Sequence, residues 1–209
     1  FDENQRIFPW REDRATKYQQ IVSEILLQRT KAETVAKYYD TFFSKFPDWN
    51  ALANASLEEL EEIMKPLGLY RHRARRLYKL GEDIRRRGGK IPGNENELRD
   101  SGFIGLYVTN AFELFILRNR KPLLDVNMSR LLKRYFKPGD FIDVRHDKEI
   151  QELANDIIEV RRCKELNWAI LDYAALVCKT RNPLCGECVL NKHCKYYELS
   201  QGDVTEESE

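Results

Sequence analysis

Apolar residues recur at helical spacing along most of the chain. After Thr16, the residues Tyr18, Ile21, Val22, Ile25 and Leu26 form one stripe of the 3.6-residue period. Thr16 with Gln19, and Ser56 with Glu59, have the capping-box spacing that opens a helix. The same period predicts further helices over 31–46, 56–65, 71–87, 105–118, 125–135, 147–160 and 165–177. Short connections carry proline or glycine: Phe46-Pro47, Pro66-Leu67-Gly68, Gly88-Gly89 and Pro138-Gly139. Asn-Gly hairpin signals and long alternating strand patterns are missing, so the fold class expected is all-α. No internal repeat is visible. The acidic end, 198–209, reads as a disordered tail.

Composition adds few restrictions. The 209 residues, 42% hydrophobic and 33% charged, suffice for one large domain or two small ones with a real core. No stretch of eighteen apolar residues occurs, so no transmembrane helix is expected. No signal peptide is visible, although the chain opens at Phe1 rather than Met, which leaves a removed leader open. The net charge of +1 looks poor for a nucleic-acid binder. Its distribution changes that picture. Residues 198–209 hold five acids and no Lys or Arg, and without them 35 basic residues face 29 acidic ones. Residues 71–87, RHRARRLYKLGEDIRRR, hold eight Lys/Arg against two acids. Such a stripe suits a phosphate backbone, the bland alternative being a solvated helix face.

The most specific chemistry lies in Cys178, Cys185, Cys188 and Cys194, a C-x6-C-x2-C-x5-C run within seventeen residues. Four thiolates this close can surround one metal centre. Disulfides are disfavoured because nothing else suggests secretion. Tetrahedral zinc is chemically reasonable, but zinc sites usually present two C-x2-C knuckles or a Cys/His mixture. Uneven loops suit an iron–sulfur cluster better, and Lys179, Arg181, Lys192, His193 and Lys195 would offset its charge. Cys163, standing alone, reads as a small buried or partly buried side chain.

Two carboxylates are candidates for acid–base work. Glu24 sits on the flank of the Ile21/Val22/Ile25/Leu26 stripe with Gln28 one turn away. Partial desolvation there would raise its pKa, although taken alone it reads as a solvent-facing helical Glu. Asp125, in LLDVNMSRLLKRYF, stands immediately before an apolar-periodic run and is the expected N-cap of that helix. One carboxylate can both cap a helix and face a cleft.

The cysteine run, with the stretch from Phe8-Pro9-Trp10-Arg11 to Tyr197, resembles endonuclease III and its helix-hairpin-helix DNA glycosylase relatives. The nearest patterns are those of MutY-type adenine glycosylases and archaeal thymine mismatch glycosylases. The resemblance implies a two-lobed fold. A helical barrel over 16–120 would carry the hairpin. Residues 1–15 and 121–197 would form a second lobe holding a 4Fe-4S cluster on Cys178, Cys185, Cys188 and Cys194. It also implies catalytic roles for Glu24 (in SEILLQ), for Asp125 (in LDVN) and for Asn127 as its hydrogen-bonding neighbour, in a cleft between the lobes. Between them lies the position that is Lys in glycosylase/lyases and Ser or Tyr in enzymes that only hydrolyse. Here it is Tyr107, 83 residues after Glu24 and 18 before Asp125.

The same resemblance implies DNA contacts. Gln28, Arg29 and Thr30 match the loop that fills the space left by a flipped base. Leu69-Tyr70-Arg71 matches the loop whose aromatic or apolar residue wedges into the duplex, giving Tyr70 and Arg71 as contacts. The hairpin L-P-G-V-G-x aligns with Ser101-Gly102-Phe103-Ile104-Gly105-Leu106. Gly102, Ile104 and Gly105 would bring backbone N–H groups to phosphate. Phe103 replaces the first hairpin glycine, and Leu106 replaces a polar or basic residue, which implies a rebuilt turn or altered DNA binding.

The expected activity is therefore hydrolysis of thymine or uracil opposite guanine in duplex DNA, without strand cleavage, by a monomer. The expected place is the nucleoid of a prokaryotic cell or a eukaryotic nucleus. The chain ends soon after the cysteines, where adenine enzymes continue into a further domain, which favours thymine or uracil. An adenine or modified-base glycosylase is the alternative. From other classes, a non-catalytic cluster-bearing DNA-binding module and a zinc-ribbon protein compete.

Overall fold

The computed structural model describes residues 5–94, 96–97, 105–137, 139, 143 and 146–202. Among them every regular element is helical. The chain divides into two compact units, Ile7–Asn119 and the discontinuous Phe1–Arg6 with Arg120–Glu209.

The first unit is built from α1 (Lys17–Leu27), α2 (Ala32–Lys45), α3 (Trp49–Ala53), α4 (Leu57–Met64), α5 (Tyr70–Arg86) and α6 (Leu106–Phe112). Both expected capping boxes form. Thr16 N–H donates to Gln19 Oε1 at 2.8 Å while Gln19 N–H donates to Thr16 Oγ1 at 3.2 Å. Ser56 and Glu59 do the same for α4. Each box satisfies N–H groups that an open helix end leaves without partners. The stripe of α1 is buried as its spacing requires, but so are Ser23 and Glu24, because neighbours enclose this helix on more than one side. The core is rich in aromatics. Tyr18 lies edge-on to Phe43 and Trp49, and Phe8 stacks on Trp10 at 4.7 Å. Helix α5 turns Ala74, Leu77, Leu80 and Ile84 inward and stops at Gly88 and Gly89, both at positive φ.

Two elements differ from the periodic reading. The helix expected over 105–118 is α-helical only to Phe112, then widens into a π-helical turn, Glu113–Leu117, closed by Arg118 in the left-handed conformation. Helix α3 is too short for periodicity to reveal, although Asp48 caps it through Ala51 N–H at 2.8 Å.

The second unit contains α7 (Val126–Phe136), α8 (Lys148–Ile157), α9 (Cys163–Leu176) and α10 (Lys195–Gly202). Leu124, Met128, Leu131, Leu132, Ile150, Ala154 and Ala174 form its core. Asn167 is fully buried on α9. Its Oδ1 accepts from Leu123 N–H at 2.6 Å and its Nδ2 donates to the Lys121 carbonyl at 3.1 Å, so α9 holds the extended segment leading to Asp125. Arg6 is anchored on buried Asp172 through both its main-chain N–H and Nε. Residues 198–202, which read as the start of a tail, continue α10. There Tyr196 lies beneath the Arg134 guanidinium at 4.6 Å and Lys195 pairs with Glu198. Cys163 is buried.

Close helix packing generates a stability prediction. A Cβ added at Gly81 of α5 would stand 2.7 Å from the Leu52 carbonyl oxygen and 3.1 Å from Ala53 Cα. Glycine in a helix interior ordinarily costs about 0.5–1 kcal/mol relative to alanine. Here Gly81→Ala is expected instead to destabilise by about 1–3 kcal/mol, because backbone must move. Urea unfolding midpoints of the two proteins check this, and a stabilised variant would contradict it.

Candidate active site

In the first unit the fold brings Glu24 and Tyr107 together. Glu24 faces inward from the middle of α1 and is only 3% exposed. Tyr107 stands in the first turn of α6, half-buried against the aromatic core. Its hydroxyl donates to Glu24 Oε2 at 2.7 Å. A buried carboxyl without a donor is costly, and the phenol supplies one while fixing the carboxyl's orientation.

Asp125 and Asn127 form a second pair, in the second unit. Asp125 is the N-cap of α7, as its sequence position suggests, and its carboxylate accepts three hydrogen bonds. Oδ1 accepts from the N–H groups of Asn127 and Met128, both at 2.8 Å, and Oδ2 accepts from Asn127 Nδ2 at 2.6 Å. Asn127 Oδ1 in turn accepts from Arg130 Nη1 at 3.1 Å. Arg130 continues to the main chain, donating from Nε to the Cys178 carbonyl and from Nη2 to that of Ala174, both at 2.9 Å. Arg130 was not singled out by sequence, where it is one basic residue among several. Its place one helical turn past Asn127 was the available signal. Burial pushes the Asp125 carboxyl above the ordinary aspartate range. The hydrogen bonds from Met128 and Asn127 and the Arg130 charge oppose that shift without cancelling it.

The two turns expected to contact DNA make much of their hydrogen bonding within the first unit. Arg29 is exposed with φ +58°. The Gln28 side-chain oxygen accepts from Arg76, and the Gln28 carbonyl and Thr30 hydroxyl accept from Arg73. At the other turn Tyr70 is half-buried against the core, with the Arg71 guanidinium over its ring at 5.6 Å. The exposed apolar residue there is Leu69, 53% exposed at φ +47°. Gly102 and Ile104, with Phe103, lie outside the described residues. Gly105 precedes α6 at φ −75°, and no atom of the described residues lies within 4 Å of where its Cβ would stand. On α5, Arg71, His72, Arg75, Arg76 and Lys79 are exposed, whereas Arg73 turns inward.

The four cysteines of the run lie in the loop after α9, partly buried. The Cys185 thiol is pushed up by burial and then by the proximity of Cys178, Cys188 and Cys194, so the four share one neighbourhood. Donors approach the sulfurs: Tyr173 Oη lies 3.2 Å from Cys188 Sγ and Arg134 Nη1 lies 3.6 Å from Cys178 Sγ. Among the described residues no three His, Cys, Asp or Glu side chains are gathered closely enough to hold a single metal ion. No described helix is long and apolar enough to cross a membrane.

This all-helical arrangement is the fold of helix-hairpin-helix DNA glycosylases. It superposes on a thermostable thymine-DNA glycosylase with a TM-score of 0.82 and 32% identity, covering 93% of this chain and 89% of that one. Residues 22–162 match the HhH-GPD superfamily of base excision DNA repair proteins, and the chain belongs to that superfamily. A thymine/uracil-DNA glycosylase of Methanothermobacter thermautotrophicus is 32% identical over 197 residues, 93% of this chain and 88% of that protein. A thymine-DNA glycosylase of Aeropyrum pernix is 35% identical over 193 residues, 90% and 86% of the two chains.

The raised pKa of Asp125 yields a prediction with a definite sign. A carboxyl whose pKa is higher folded than unfolded binds its proton more tightly when folded. Its ionisation therefore penalises the folded state above the folded pKa, and the penalty vanishes below the unfolded value. Asp125→Asn keeps the capping acceptor but sets an amide donor against Asn127 Nδ2, a cost that does not change with pH. The stability of Asp125→Asn relative to the parent is therefore expected to rise from acid to neutral pH, read from urea midpoints at several pH values. A relative stability that falls as pH rises would contradict the burial argument.

Proposed function

We propose that this protein is a DNA glycosylase that hydrolyses the N-glycosidic bond of thymine or uracil opposite guanine in duplex DNA and leaves the strand uncut. The observation that carries the proposal is the hydrogen bond from Tyr107 to buried Glu24, made on a chain that matches thymine and thymine/uracil glycosylases over most of both lengths, whereas adenine glycosylases match it over about half of theirs or less. A DNA substrate places its work at the nucleoid or in the nucleus.

Breaking this bond develops positive charge on the sugar. The ionised Asp125 carboxylate stabilises that charge, and its three donors keep it oriented while doing so. Glu24, held by Tyr107, is the group placed to move a proton between the attacking water and the departing base. The side chain beside Glu24 is a phenol, which cannot form the Schiff base through which an amine cleaves the strand. The target base must leave the stack to reach these groups. The exposed basic face of α5 supplies charge for the phosphate backbone.

Cys178, Cys185, Cys188 and Cys194 are proposed to hold a 4Fe-4S cluster. Their all-sulfur donor set, their shared neighbourhood and the donors from Tyr173 and Arg134 support this. Such a cluster, when bound, cross-links the loop and supplies a one-electron couple.

Two measurements test these readings. Duplexes carrying thymine or uracil opposite guanine, and adenine opposite guanine or oxidised guanine, are assayed for base loss. Thymine and uracil should leave faster, with the strand intact until alkali is added. Borohydride should trap little covalent adduct, and Tyr107→Lys should gain trapping. Faster adenine release would reverse the base assignment, and efficient trapping by the parent would reverse the hydrolytic one. Separately, the purified protein should be yellow-brown with about four irons per chain. Cys185→Ser should lose both colour and iron, whereas a colourless protein with one zinc would overturn the cluster.

A further inference from the structure

Arg73 stands inside the basic run that reads as a phosphate-facing stripe, yet it is only 4% exposed. It follows the inward register of Leu77, Leu80 and Ile84 on α5 rather than that of its charged neighbours. Burial and nearby Arg76 both lower its pKa, but a guanidinium starts so high that it stays cationic at neutral pH. All its hydrogen-bond acceptors are uncharged. Nη1 donates to the carbonyls of Leu67, at 2.8 Å, and Gly68, at 2.6 Å. Nη2 donates to the Gln28 carbonyl and the Thr30 hydroxyl.

These acceptors bracket two unusual residues. Arg29 and Leu69 are two of only four non-glycine residues at positive φ among those described. Such backbone costs energy in an L-residue and persists only where the surroundings impose it. Gln28 and Thr30 flank Arg29, while Leu67 and Gly68 lead directly into Leu69. One guanidinium thus joins two turns some forty residues apart in sequence. Both turns end in an exposed tip, one cationic and one apolar. A cation suits phosphate, and a bare aliphatic side chain suits the base stack.

We infer that Arg73 is a positioning residue, which locks the Gln28–Thr30 and Leu67–Leu69 turns into one unit so that Arg29 and Leu69 engage duplex DNA together. The DNA-contact part rests on the glycosylase reading above. The locking part does not. Lysine cannot replace it, because a single ammonium cannot span four acceptors in the planar fork of a guanidinium.

Hydrogen exchange on the free protein tests the lock. The amides of Gln28, Thr30 and Gly68 are hydrogen-bonded, to Ile25, Leu27 and Lys65, and serve as reporters. Arg73→Lys should accelerate exchange at all three by about tenfold or more, the scale of a lost hydrogen bond to a charged group, and leave α2 unchanged. Thr30→Val, a milder change confined to one turn, should also accelerate Gly68 in the other. Should Arg73→Lys not fold, that second variant decides. If Gly68 exchanges as in the parent in Thr30→Val, the turns are independent and the inference is overturned.

Binding to a guanine–thymine duplex then tests the purpose. The affinity losses of Arg29→Ala and Leu69→Ala should be strongly non-additive in the parent and additive in an Arg73→Lys background. A merely structural Arg73 would leave that coupling unchanged, which would overturn the inference. If exchange shows the lock while neither alanine variant weakens binding, the DNA-contact reading of the turns fails and the lock alone stands.

Discussion

A carboxylate partly withdrawn from water needs hydrogen-bond donors, and half-buried Asp125 imposes that requirement on the second unit. The opening turn of α7 meets most of it, because a helix N-terminus has N–H groups to spare and an N-cap aspartate accepts them. Asn127 supplies the remaining donor, and then needs support of its own. Arg130 gives that support and carries the connection to the Cys178 and Ala174 carbonyls, at the end of α9 and the start of the cysteine loop. The buried Asn167 fixes the approach from the other direction by holding residues 121–123. The geometry around one acidic side chain therefore depends on two helices and the first cysteine segment.

The first unit solves the same problem twice, by different means. Glu24 lies in the middle of a helix, whose main-chain N–H groups are used by the helix itself, and a side chain 83 residues away supplies a donor. Arg73 has the opposite charge and a mirrored solution, since carbonyls left over at turns accept from it. In both cases a polar group inside an apolar core makes long-range contacts that hydrophobic packing alone would leave loosely specified.

Much of this was legible in the sequence, for reasons that also set its limits. Periodicity found the long helices, because each turns one apolar face to a core, and it missed α3, which has only five residues. It ran α6 on through the π-helical turn because widening a helix leaves its apolar composition unchanged. The N-cap role of Asp125 was readable from local chemistry. The flank position of Glu24 pointed to partial desolvation, but its full burial was not readable, since a wheel shows one stripe of α1 and not what covers its flank. Tyr70 was expected as a DNA contact of its turn; it is half-buried against the core, and Leu69, with left-handed backbone, is the exposed apolar side chain beside it, which a sequence pattern does not distinguish. Arg73 was hidden by its neighbours' charge, although its spacing from Leu77, Leu80 and Ile84 marks it as inward-facing.

Burial acts on Asp125 and Arg73 in the same sense, pushing each toward its neutral form, yet the consequences differ. A guanidinium begins so far above neutral pH that its charge survives, and Arg73 remains a fixed cation whose role is geometric. A carboxyl begins a few units below neutral pH, so the same cause moves Asp125 toward the range in which its charge is at stake. The donors from Asn127 and Met128 and the positive charge of Arg130 then acquire a second role. They place the carboxylate, and they also hold down a pKa that burial would otherwise raise further. In the proposed reaction, a carboxylate that meets a developing sugar cation needs both a poorly hydrated setting, where its charge acts strongly, and donors that favour its ionised form. The capping turn of α7 offers donors at a half-buried position, which is a physical reason for placing this residue at a helix N-terminus rather than on a helix face.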